Sequence, residues 1–350
     1  MSETFGFAAE ILRRSAAGYA GNAASLLLER DDALRAQAGA LDAWKSHLTQ
    51  RLMELSAALD AGQTRLFTER VVWSRKTFAA RDQSDDLIAS SLESLRDTLS
   101  DSLPSPALTP VQEYLNAALD ELEQPHPGQD SSELDPSKPN DRLVLEYLQH
   151  ILDGNSLIAQ QAVIESVAGG LSLVEAYIDV LLAAQKEIGR LWHANEVTVA
   201  EEHLVSMTTQ KTMAVLAYSA TRQPSNGATV VTACIAGNAH DIGPRALADL
   251  YQLAGWRSVF LGADVPVSDL PAMLDAYGAS VISLTGTLST QVGQAAETVR
   301  AIRERCERPV KILVGGAMFD EAPDVADTIG ADAYAPDIRG ALRISADFIA

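Results

Sequence analysis

Apolar residues in the first part of the chain recur at the spacing of amphipathic helices. Four of them share one helical face because they fall at i, i+4, i+8 and i+11: Trp44, Leu48, Leu52 and Leu55. The stretch LPSPALTP is expected to break the chain before the last of five predicted helices, which cover 15–37, 41–62, 64–81, 85–100 and 111–122. Alternation typical of strands is nearly absent. Residues 1–124 are therefore predicted to form an all-helical domain.

Residues 125–140 have the composition of a linker, with four prolines, a glycine, serines and acids. The segment after it, 141–222, is again helical, and its first helix is predicted to end at Gly154, a residue type that commonly follows a helix C-terminus. Three more helical patterns follow with short connections. Four helices joined in this way predict an antiparallel four-helix bundle.

The pattern changes between residues 226 and 350. Short apolar runs rich in β-branched residues, such as ATVVTACIA, lack polar alternation and are typical of strands buried on both faces. Each of five runs precedes a helical pattern, which predicts a doubly wound, five-stranded parallel sheet of the Rossmann-like class. The fold class of the whole chain is thus α + α/β. Ligands bind such sheets at the carboxyl ends of the strands, which here lie near His240, Gly262, Thr285, Gly315 and Tyr334.

Composition narrows the function. The 350 residues carry 27 Lys and Arg against 47 Asp and Glu, a net charge of −20 that disfavours direct binding to DNA or to an anionic membrane. Two cysteines cannot build a disulfide framework or a cysteine zinc cage. The chain shows neither a signal-peptide pattern nor an apolar run of the roughly 20 residues that a membrane span needs. We expect a cytoplasmic protein without membrane attachment.

His240 lies just after the first predicted strand, in the sequence NAHDIG. An imidazole at the ligand edge of a sheet can bind a transition metal through one nitrogen, while the other nitrogen needs a partner that fixes the tautomer. Asn238 and Asp241 are both candidates for that partner. Taken alone, such a position is more often that of a histidine in a turn or a helix cap.

The spacing of three short motifs changes this interpretation. Gly243 is followed by 41 residues and then by Thr285-Gly286-Thr287, and Thr287 is followed by 27 residues and then by Gly315-Gly316. This resembles the cobalamin-binding module of methionine synthase, in which Asp-x-His-x-x-Gly, Ser-x-Leu and Gly-Gly follow at similar gaps. The resemblance covers the whole third segment. It implies that His240 displaces the dimethylbenzimidazole of the cofactor and becomes the lower axial cobalt ligand. The other cofactor-binding residues that it implies, several of them lining a slot for the displaced tail, are Asn238, Asp241, Ile242, Gly243, Gly262, Thr285, Gly286, Thr287, Gly315, Gly316 and Tyr334.

The third segment departs from that pattern at three positions. Asn238 stands where the family usually has Asp or Glu, so its amide oxygen accepts the imidazole N–H without a charge. Asn238 should therefore raise the basicity of His240 less than a carboxylate would, and the bond between His240 and cobalt should be more labile. Thr285 keeps the hydroxyl of the usual Ser, whereas Thr287 replaces an apolar Leu by a smaller polar side chain.

A second motif lies in the predicted bundle, where Trp192 is followed by nine residues and then by Glu202-His203. This pattern resembles the adenosylcobalamin-dependent light sensors of the CarH type, in which the bundle caps the upper face of the corrin. The resemblance implies that Trp192 packs over the adenosyl group and that Glu202 and His203 contact it. It also implies that His193 binds cobalt after light breaks the Co–C bond. Arg190 stands where those sensors often have Glu. A packing Trp beside a solvated Glu-His pair is the ordinary alternative.

The stretch 67–82, FTERVVWSRKTFAARD, mixes aromatic and basic residues. A flat apolar molecule bearing propionates, such as a bilin or a haem, needs such side chains, although an ordinary amphipathic helix has the same composition. A helical domain, a bundle and a B12 sheet without a DNA-binding element resemble the photocobilin group, which implies biliverdin as a second chromophore. The residues proposed to bind it are His47, Arg70, Trp73, Arg75 and Lys76.

Together these features predict a cobalamin-dependent photoreceptor rather than an enzyme. It would bind adenosylcobalamin base-off with His240 below cobalt, change the position of the bundle when light cleaves the Co–C bond, and signal through a protein partner or a second copy. The first alternative is a corrinoid methyl-carrier protein of a methyltransferase system, carrying methylcobalamin. The second alternative is a light-independent B12 sensor or anti-repressor.

Overall fold

The computed structural model describes residues 3–84, 86–125 and 131–350. The chain forms two compact units. The first unit comprises Met1–Gly128, Gly286–Ala296 and Ala317–Ile329, and the second comprises Gln129–Thr285, Glu297–Gly316 and Gly330–Ala350. The expected linker 125–140 lies partly outside the described residues, at 126–130, and the expected domain boundaries stay predictions.

The first unit consists mainly of helices from the N-terminal part of the chain. They are α1 (Glu3–Arg30), α2 (Asp32–Arg35), α3 (Ala40–Ala61), α4 (Arg65–Ala79), α5 (Asp86–Ser102) and α6 (Ser105–Glu123). The predicted apolar face of α3 is in the core, because Leu48, Leu52 and Leu55 are fully buried. Burying a leucine side chain stabilises a fold by about 1.5–3 kcal/mol relative to leaving it exposed. The apolar face of α3 therefore contributes to the stability of the first unit.

The first predicted helix was wrong in its bounds. Helix α1 begins at Glu3, well before the predicted start at residue 15, and ends at Arg30. The residues after it form the separate short helix α2, because the Asp31 side chain accepts a hydrogen bond from the Leu34 N–H at 2.9 Å. A side-chain cap of this kind satisfies an amide that has no acceptor inside the helix.

The predicted break at LPSPALTP is present at Leu103 and Pro104, between α5 and α6, but the predicted start of the last helix at Val111 was wrong, because α6 already begins at Ser105. Pro106 lies in the first helical turn, where backbone N–H groups have no acceptor inside the helix, so its missing N–H removes no bond. Pro110 lies further inside the helix and is buried. Tertiary packing of this proline outweighs its low helix propensity.

The second unit begins with the predicted bundle. Its helices are α7 (Pro139–Leu152), α8 (Ser156–Ala168), a third helix in three consecutive pieces, and α11 (Val199–Ser219). The three pieces are α9 (Leu173–Glu175), a π-helical segment (Ala176–Leu182) and α10 (Ala183–His193). Capping boxes begin α9, between Ser172 and Glu175, and α11, between Thr198 and Glu201. Each box satisfies two orphan donors and fixes where its helix starts.

The rest of the second unit is built on a five-stranded parallel sheet of order β2-β1-β3-β4-β5. The strands are β1 (Thr229–Cys234), β2 (Arg257–Gly262), β3 (Val281–Thr285), β4 (Lys311–Gly315) and β5 (Ala333–Ala335). Every residue of β1 is buried, as predicted for a strand covered on both faces. The helices between and after the strands are α12 (Ile242–Leu253), α13 (Leu270–Tyr277), α14 (Val292–Arg305), α15 (Ala317–Glu321), α16 (Asp324–Ile329) and α17 (Ile338–Asp347).

The segments that follow β3 and β4 belong to the first unit. Helix α3 contacts the 3-10 helix Ser289–Gln291, and α4 contacts α15. An ion pair between Arg70 and Glu321 lies in the second of these contacts. The predicted fold class, helical domains followed by a five-stranded parallel sheet, is confirmed. Among the described residues, no helix combines the length and the apolar character needed to cross a membrane.

Candidate functional site

The candidate site lies where the order of the strands reverses. In the order β2-β1-β3-β4-β5, connections from β1 and β3 leave in opposite directions, which opens a crevice at their carboxyl ends. Cys234 is in register with Thr285, and Thr285 with Gly315. The loop after β1 carries His240, so this imidazole lies at the ligand edge of the sheet.

Asn238 holds His240 in one orientation. The Asn238 side chain is fully buried, and its amide nitrogen donates to the Thr285 carbonyl at 2.9 Å. That bond orients the amide oxygen toward His240, where it lies 3.1 Å from the backbone nitrogen and 3.2 Å from Nδ1 of the ring. An Nδ1–H that donates to this oxygen leaves the lone pair on Nε2. The exposed ring thus has the tautomer that a metal needs.

The structure separates the two proposed partners of the imidazole. Asn238 contacts it, whereas the Asp241 carboxylate pairs with Arg245 at 3.1 Å, one turn further along α12. Arg245 also lies over the Phe260 ring, 4.9 Å from its centroid. Asp241 therefore acts on α12 rather than on the ring of His240.

The glycines of the motif differ in what they explain. A Cβ at Gly315 would lie 3.0 Å from the Ala335 carbonyl oxygen, so the approach of β5 alone requires glycine there. Gly316 and Gly262 have φ of 98° and 83°, which favour glycine for backbone reasons. Gly243 has neither constraint, and a Cβ there would meet no described atom within 4 Å. A Cβ at Gly262 would also meet no described atom within 4 Å, so Gly243 differs from Gly262 only in lacking a positive φ.

The remaining motif residues are held by backbone contacts. Thr285 ends β3, and its carbonyl accepts from the Asn238 side chain and from the Ile235 N–H at 3.1 Å. Gly286 and Thr287 belong to the first unit, where the Thr287 N–H donates to the Gln291 side chain at 2.8 Å. Tyr334 is half-buried in the middle of β5, and Ile242 packs against the core of the bundle.

The proposed cap residues lie at the end of α10 and the start of α11. Trp192 and His193 are half-buried in the last turn of α10. Glu202 accepts a hydrogen bond from the Ser206 hydroxyl at 2.6 Å, and its other oxygen lies 3.7 Å from Nε2 of His203. The His203 side chain is 72% exposed. The two motif pairs thus occupy consecutive helix ends, joined by residues 194–198.

Arg190 is engaged within its own helix turn. Its guanidinium donates to Glu187 at 2.8 Å and lies 3.7 Å from Glu196. The two acids hold the pKa of Arg190 above its usual value, mainly through the hydrogen bond to Glu187. The position at which the sensors often have a carboxylate thus carries a paired cation.

In the first unit, His47 lies in an aromatic cluster. Its ring centroid is 5.3 Å from Trp44 and 5.8 Å from Phe78. Burial, and then the charge of Arg51, lower the pKa of His47 from 6.5 to about 4. Its Nε2 is buried without a hydrogen-bond partner among the described residues. The ring is therefore neutral at physiological pH.

The other residues proposed for a second chromophore are only partly brought together. Arg70 pairs with Glu321 and lies 5.7 Å from the centroid of the Trp73 ring. Arg75 is buried and donates to the Gln124 carbonyl at 2.8 Å. Lys76 is half-buried on the same helix. Both arginines thus hold the helical unit itself together.

Sequence reasoning missed three contributors to the second unit. Cys234 lies with its Sγ 3.7 Å from the His240 carbonyl, and burial raises the pKa of its thiol to about 12. Ser206 and Gln185 link the cap helices, with a hydroxyl-to-amide bond of 2.9 Å. Helical spacing identifies Ser206 as a neighbour of Glu202, but nothing local predicts Gln185, which comes from another helix.

The residues present fit a cobalt corrinoid on two observations. His240 is exposed, and the hydrogen bond from its Nδ1–H to Asn238 leaves Nε2 as the nitrogen ligand. A Cβ at Gly243, three residues further along the chain, would meet no described atom within 4 Å. Imidazole is a good ligand for borderline transition metals. A fixed outer partner is what such a ligand requires.

Comparisons with known proteins match the second unit to cobalamin-binding domains. Residues 228–343 match a family model described as a B12 binding domain, and residues 144–217 match a second model of the same description. The chain carries a cobalamin-binding module. The two matches cover the bundle and the sheet of the second unit.

The relatives of this cobalamin-binding module are corrinoid proteins. A corrinoid protein of Desulfitobacterium hafniense (strain Y51) is 24% identical over 58% of this chain and 95% of its own length. The trimethylamine corrinoid protein of Methanosarcina barkeri is 24% identical over 58% of this chain and 94% of its own length. The solved monomethylamine corrinoid protein of the same organism has a TM-score of 0.51 at 21% identity, covering 59% and 99% of the two chains. That structure supports the fold alone.

Proposed function

We propose that this protein is a corrinoid carrier, which binds cobalamin through His240 and passes a methyl group between partner proteins. The observation that carries the proposal is the contact of Asn238 with Nδ1 of His240, which leaves Nε2 exposed at the ligand edge of the sheet. The relatives support the choice of carrier, since two of them are named for trimethylamine and dimethylamine. Methylamines are therefore the first methyl donors to test.

Each residue of the site has a separate task in this proposal. Asn238 keeps the proton on Nδ1, so that Nε2 of His240 binds cobalt as a neutral imidazole. Asp241 and Arg245 fix the first turns of α12 and with them the loop that carries His240. Gly243 leaves space for the tail of the cofactor. A bound corrinoid would supply a cobalt that accepts a methyl group and gives it up again.

A second candidate function is the adenosylcobalamin photoreceptor, and the cap favours it. Trp192 and the Glu202-His203 pair supply a large aromatic ring and polar groups at neighbouring helix ends, which suit an adenosyl group better than a methyl group. The Ser206 hydroxyl fixes the Glu202 carboxylate for such a contact. In this case His193 would bind cobalt after illumination, and a partner protein or a second copy would receive the signal.

Biliverdin as a second chromophore remains part of the photoreceptor hypothesis. It gains support from the neutral His47 ring with its unpartnered Nε2, which offers a hydrogen bond to a pyrrole. It loses support from Arg70 and Arg75, since Glu321 and the Gln124 carbonyl already engage the two guanidinium groups that would bind propionates.

Reconstitution of the full chain with methylcobalamin and with adenosylcobalamin separates the candidates. A carrier should bind methylcobalamin at least as well as adenosylcobalamin, and its spectrum should respond to light no faster than the free cofactor does. A photoreceptor should prefer adenosylcobalamin and convert rapidly in green light to a stable product that is altered in His193→Ala. A light-independent sensor should prefer adenosylcobalamin without this conversion.

The control for both cofactors is His240→Ala, which should lose the spectrum of histidine-ligated cobalt. If His240→Ala binds both cofactors with unchanged affinity and spectrum, His240 is not the ligand and both proposals fail. Addition of biliverdin in a parallel sample tests the second chromophore: a red-absorbing band that His47→Ala abolishes would support it, and an unchanged spectrum of free biliverdin would exclude it.

A further inference from the structure

The π-helical segment Ala176–Leu182 brings one tyrosine between two helices. The hydroxyl of Tyr177 lies 2.8 Å from the Met213 carbonyl of α11 and 3.0 Å from Oδ2 of Asp249 on α12. Tyr177 is fully buried, and Asp249 is half-buried. Single π-helical turns within α-helices frequently occur at functional sites, because they shift the direction of side chains. Here the turn ties the bundle to the helix that follows His240.

If Asp249 is ionised, only one hydrogen, that of the Tyr177 hydroxyl, is available for these two contacts. A tyrosine hydroxyl donates one hydrogen bond, whereas a carbonyl and a carboxylate are both acceptors only. If Tyr177 donates to the Met213 carbonyl, an ionised Asp249 faces the phenol oxygen without a proton. If Tyr177 donates to Asp249, its oxygen instead faces the carbonyl at 2.8 Å without one. A protonated Asp249 satisfies both contacts, because it donates to the phenol oxygen.

The surroundings of Asp249 favour the neutral form. Burial raises the pKa of Asp249, against a lowering by the Tyr177 hydrogen bond and by the charge of Arg245. Arg245 is itself paired with Asp241 at 3.1 Å, on the side of α12 nearer His240. Arg339 of α17, which packs on α12, pairs with Asp179 at 2.7 Å. The cations near this contact are thus neutralised by other carboxylates.

We propose that Asp249 is a neutral carboxylic acid that donates to Tyr177, and that the shared proton positions α12 against α11. These two helices both adjoin residues that the proposals assign to the cobalamin site. Helix α12 begins directly after His240 and Asp241, and α11 carries Glu202 and His203 near its start. Asp249 and Tyr177 are therefore positioning residues. Raising the pH through the folded-state pKa of Asp249 should release the contact.

This inference goes beyond the proposed function, and it holds for a carrier and for a photoreceptor alike. It concerns a contact inside the cobalamin-binding module and needs no bound cofactor. It can therefore be tested on the full chain without cobalamin, so that its failure and the failure of the proposed function are distinguishable.

Infrared spectroscopy of the full chain tests the protonation directly. A protonated carboxylic acid has a C=O stretching band separate from those of carboxylates and amides. Aspartate-selective ¹³C labelling should shift this band at neutral pH, which distinguishes it from Glu321, whose pKa burial also raises. The band should vanish in Asp249→Asn and persist in the matched control Asp179→Asn. Absence of an aspartate band in the wild type, or its persistence in Asp249→Asn, would overturn the proposal.

Hydrogen exchange of the α11 amides around Met213 tests the positioning. After correction for the intrinsic rate, the wild type should lose protection as the pH rises through the folded-state pKa of Asp249. Asp249→Asn, whose amide donates to Tyr177 at every pH, should keep the protection and lose its pH dependence. Tyr177→Phe should exchange several-fold faster at all pH values. If Asp249→Asn follows the same pH profile as the wild type, or Tyr177→Phe exchanges at the wild-type rate, the contact does not position α11.

Discussion

Replacement of Asn238 by alanine should weaken cobalamin binding without unfolding the sheet. The side chain makes three hydrogen bonds, one to the Thr285 carbonyl and two to the backbone nitrogen and ring of His240. Each such bond contributes about 1 kcal/mol net, so the free energy of unfolding should fall by about 3 kcal/mol. A native domain of this kind has about 5–15 kcal/mol in total and remains folded.

The loss in affinity follows from the freed imidazole. Without the Asn238 oxygen, the ring of His240 can rotate and place its proton on Nε2, and this tautomer cannot bind cobalt through Nε2. Removing the outer partner of a metal-ligating histidine typically costs 10–100-fold in affinity. This corresponds to about 1.4–2.7 kcal/mol of binding free energy.

The assay is a titration of the cofactor-free chain with cobalamin, followed by the visible spectrum of histidine-ligated cobalt. Asn226→Ala is the matched control, since Asn226 accepts a single hydrogen bond from the Ala228 N–H at 3.0 Å, at the opposite end of β1. This control should bind cobalamin like the wild type. An Asn238→Ala variant that is folded and binds with wild-type affinity would refute the role of Asn238 in orienting His240.

Three further perturbations test other parts of the molecule. Trp192→Ala should reduce the preference for adenosylcobalamin over hydroxocobalamin by up to about tenfold, measured by competitive titration, because an aromatic contact contributes about 0.5–1.5 kcal/mol; a wild type without any preference would contradict the cap. His47→Gln should abolish a loss of stability on acidification. The folded-state pKa of His47 is lowered from 6.5 to about 4, so between pH 7 and pH 4 the unfolded chain binds more protons than the folded chain. The free energy of unfolding of the wild type should therefore fall by up to about 3 kcal/mol over this range, as urea unfolding at both pH values would show. Arg70→Met should destabilise the chain by about 3–5 kcal/mol, because it leaves Glu321 half-buried without its partner, whereas the double variant with Glu321→Gln should recover much of this loss in thermal unfolding.

The strands and the position of His240 could be predicted because their signals are local. A run of β-branched residues without polar alternation, such as 229–234, reports burial on both faces of a sheet. The end of that strand then places the next loop at the ligand edge. The spacing of the glycine motifs predicted cobalamin as the ligand, because each motif falls at the end of a strand.

Choices between equivalent partners could not be predicted. Asn238 and Asp241 flank the same histidine, and their other partners decide which of them faces the ring: the Thr285 carbonyl orients the Asn238 amide, and Arg245 pairs with the Asp241 carboxylate. The start of α6 escaped prediction for a related reason, because packing of Pro110 in the core outweighs the local tendency of proline to end a helix. The π-helical segment, which aims Tyr177 at Asp249, has no pattern in the sequence.

The first unit is made of three chain segments, and this limits where the protein can be truncated. Its helices 3–123 share one core with the two segments that follow β3 and β4, and the side chains of Met318 and Phe319 are fully buried in it. A truncation at residue 124 would therefore uncover apolar surface on the loops of the sheet, although the family models match only residues 144–217 and 228–343. Replacement of the N-terminal helices would likewise require compensating changes near residues 286–296 and 317–329. The first unit is thus assembled from three separate stretches of the chain, and any shortened variant should keep these helices and these two segments together.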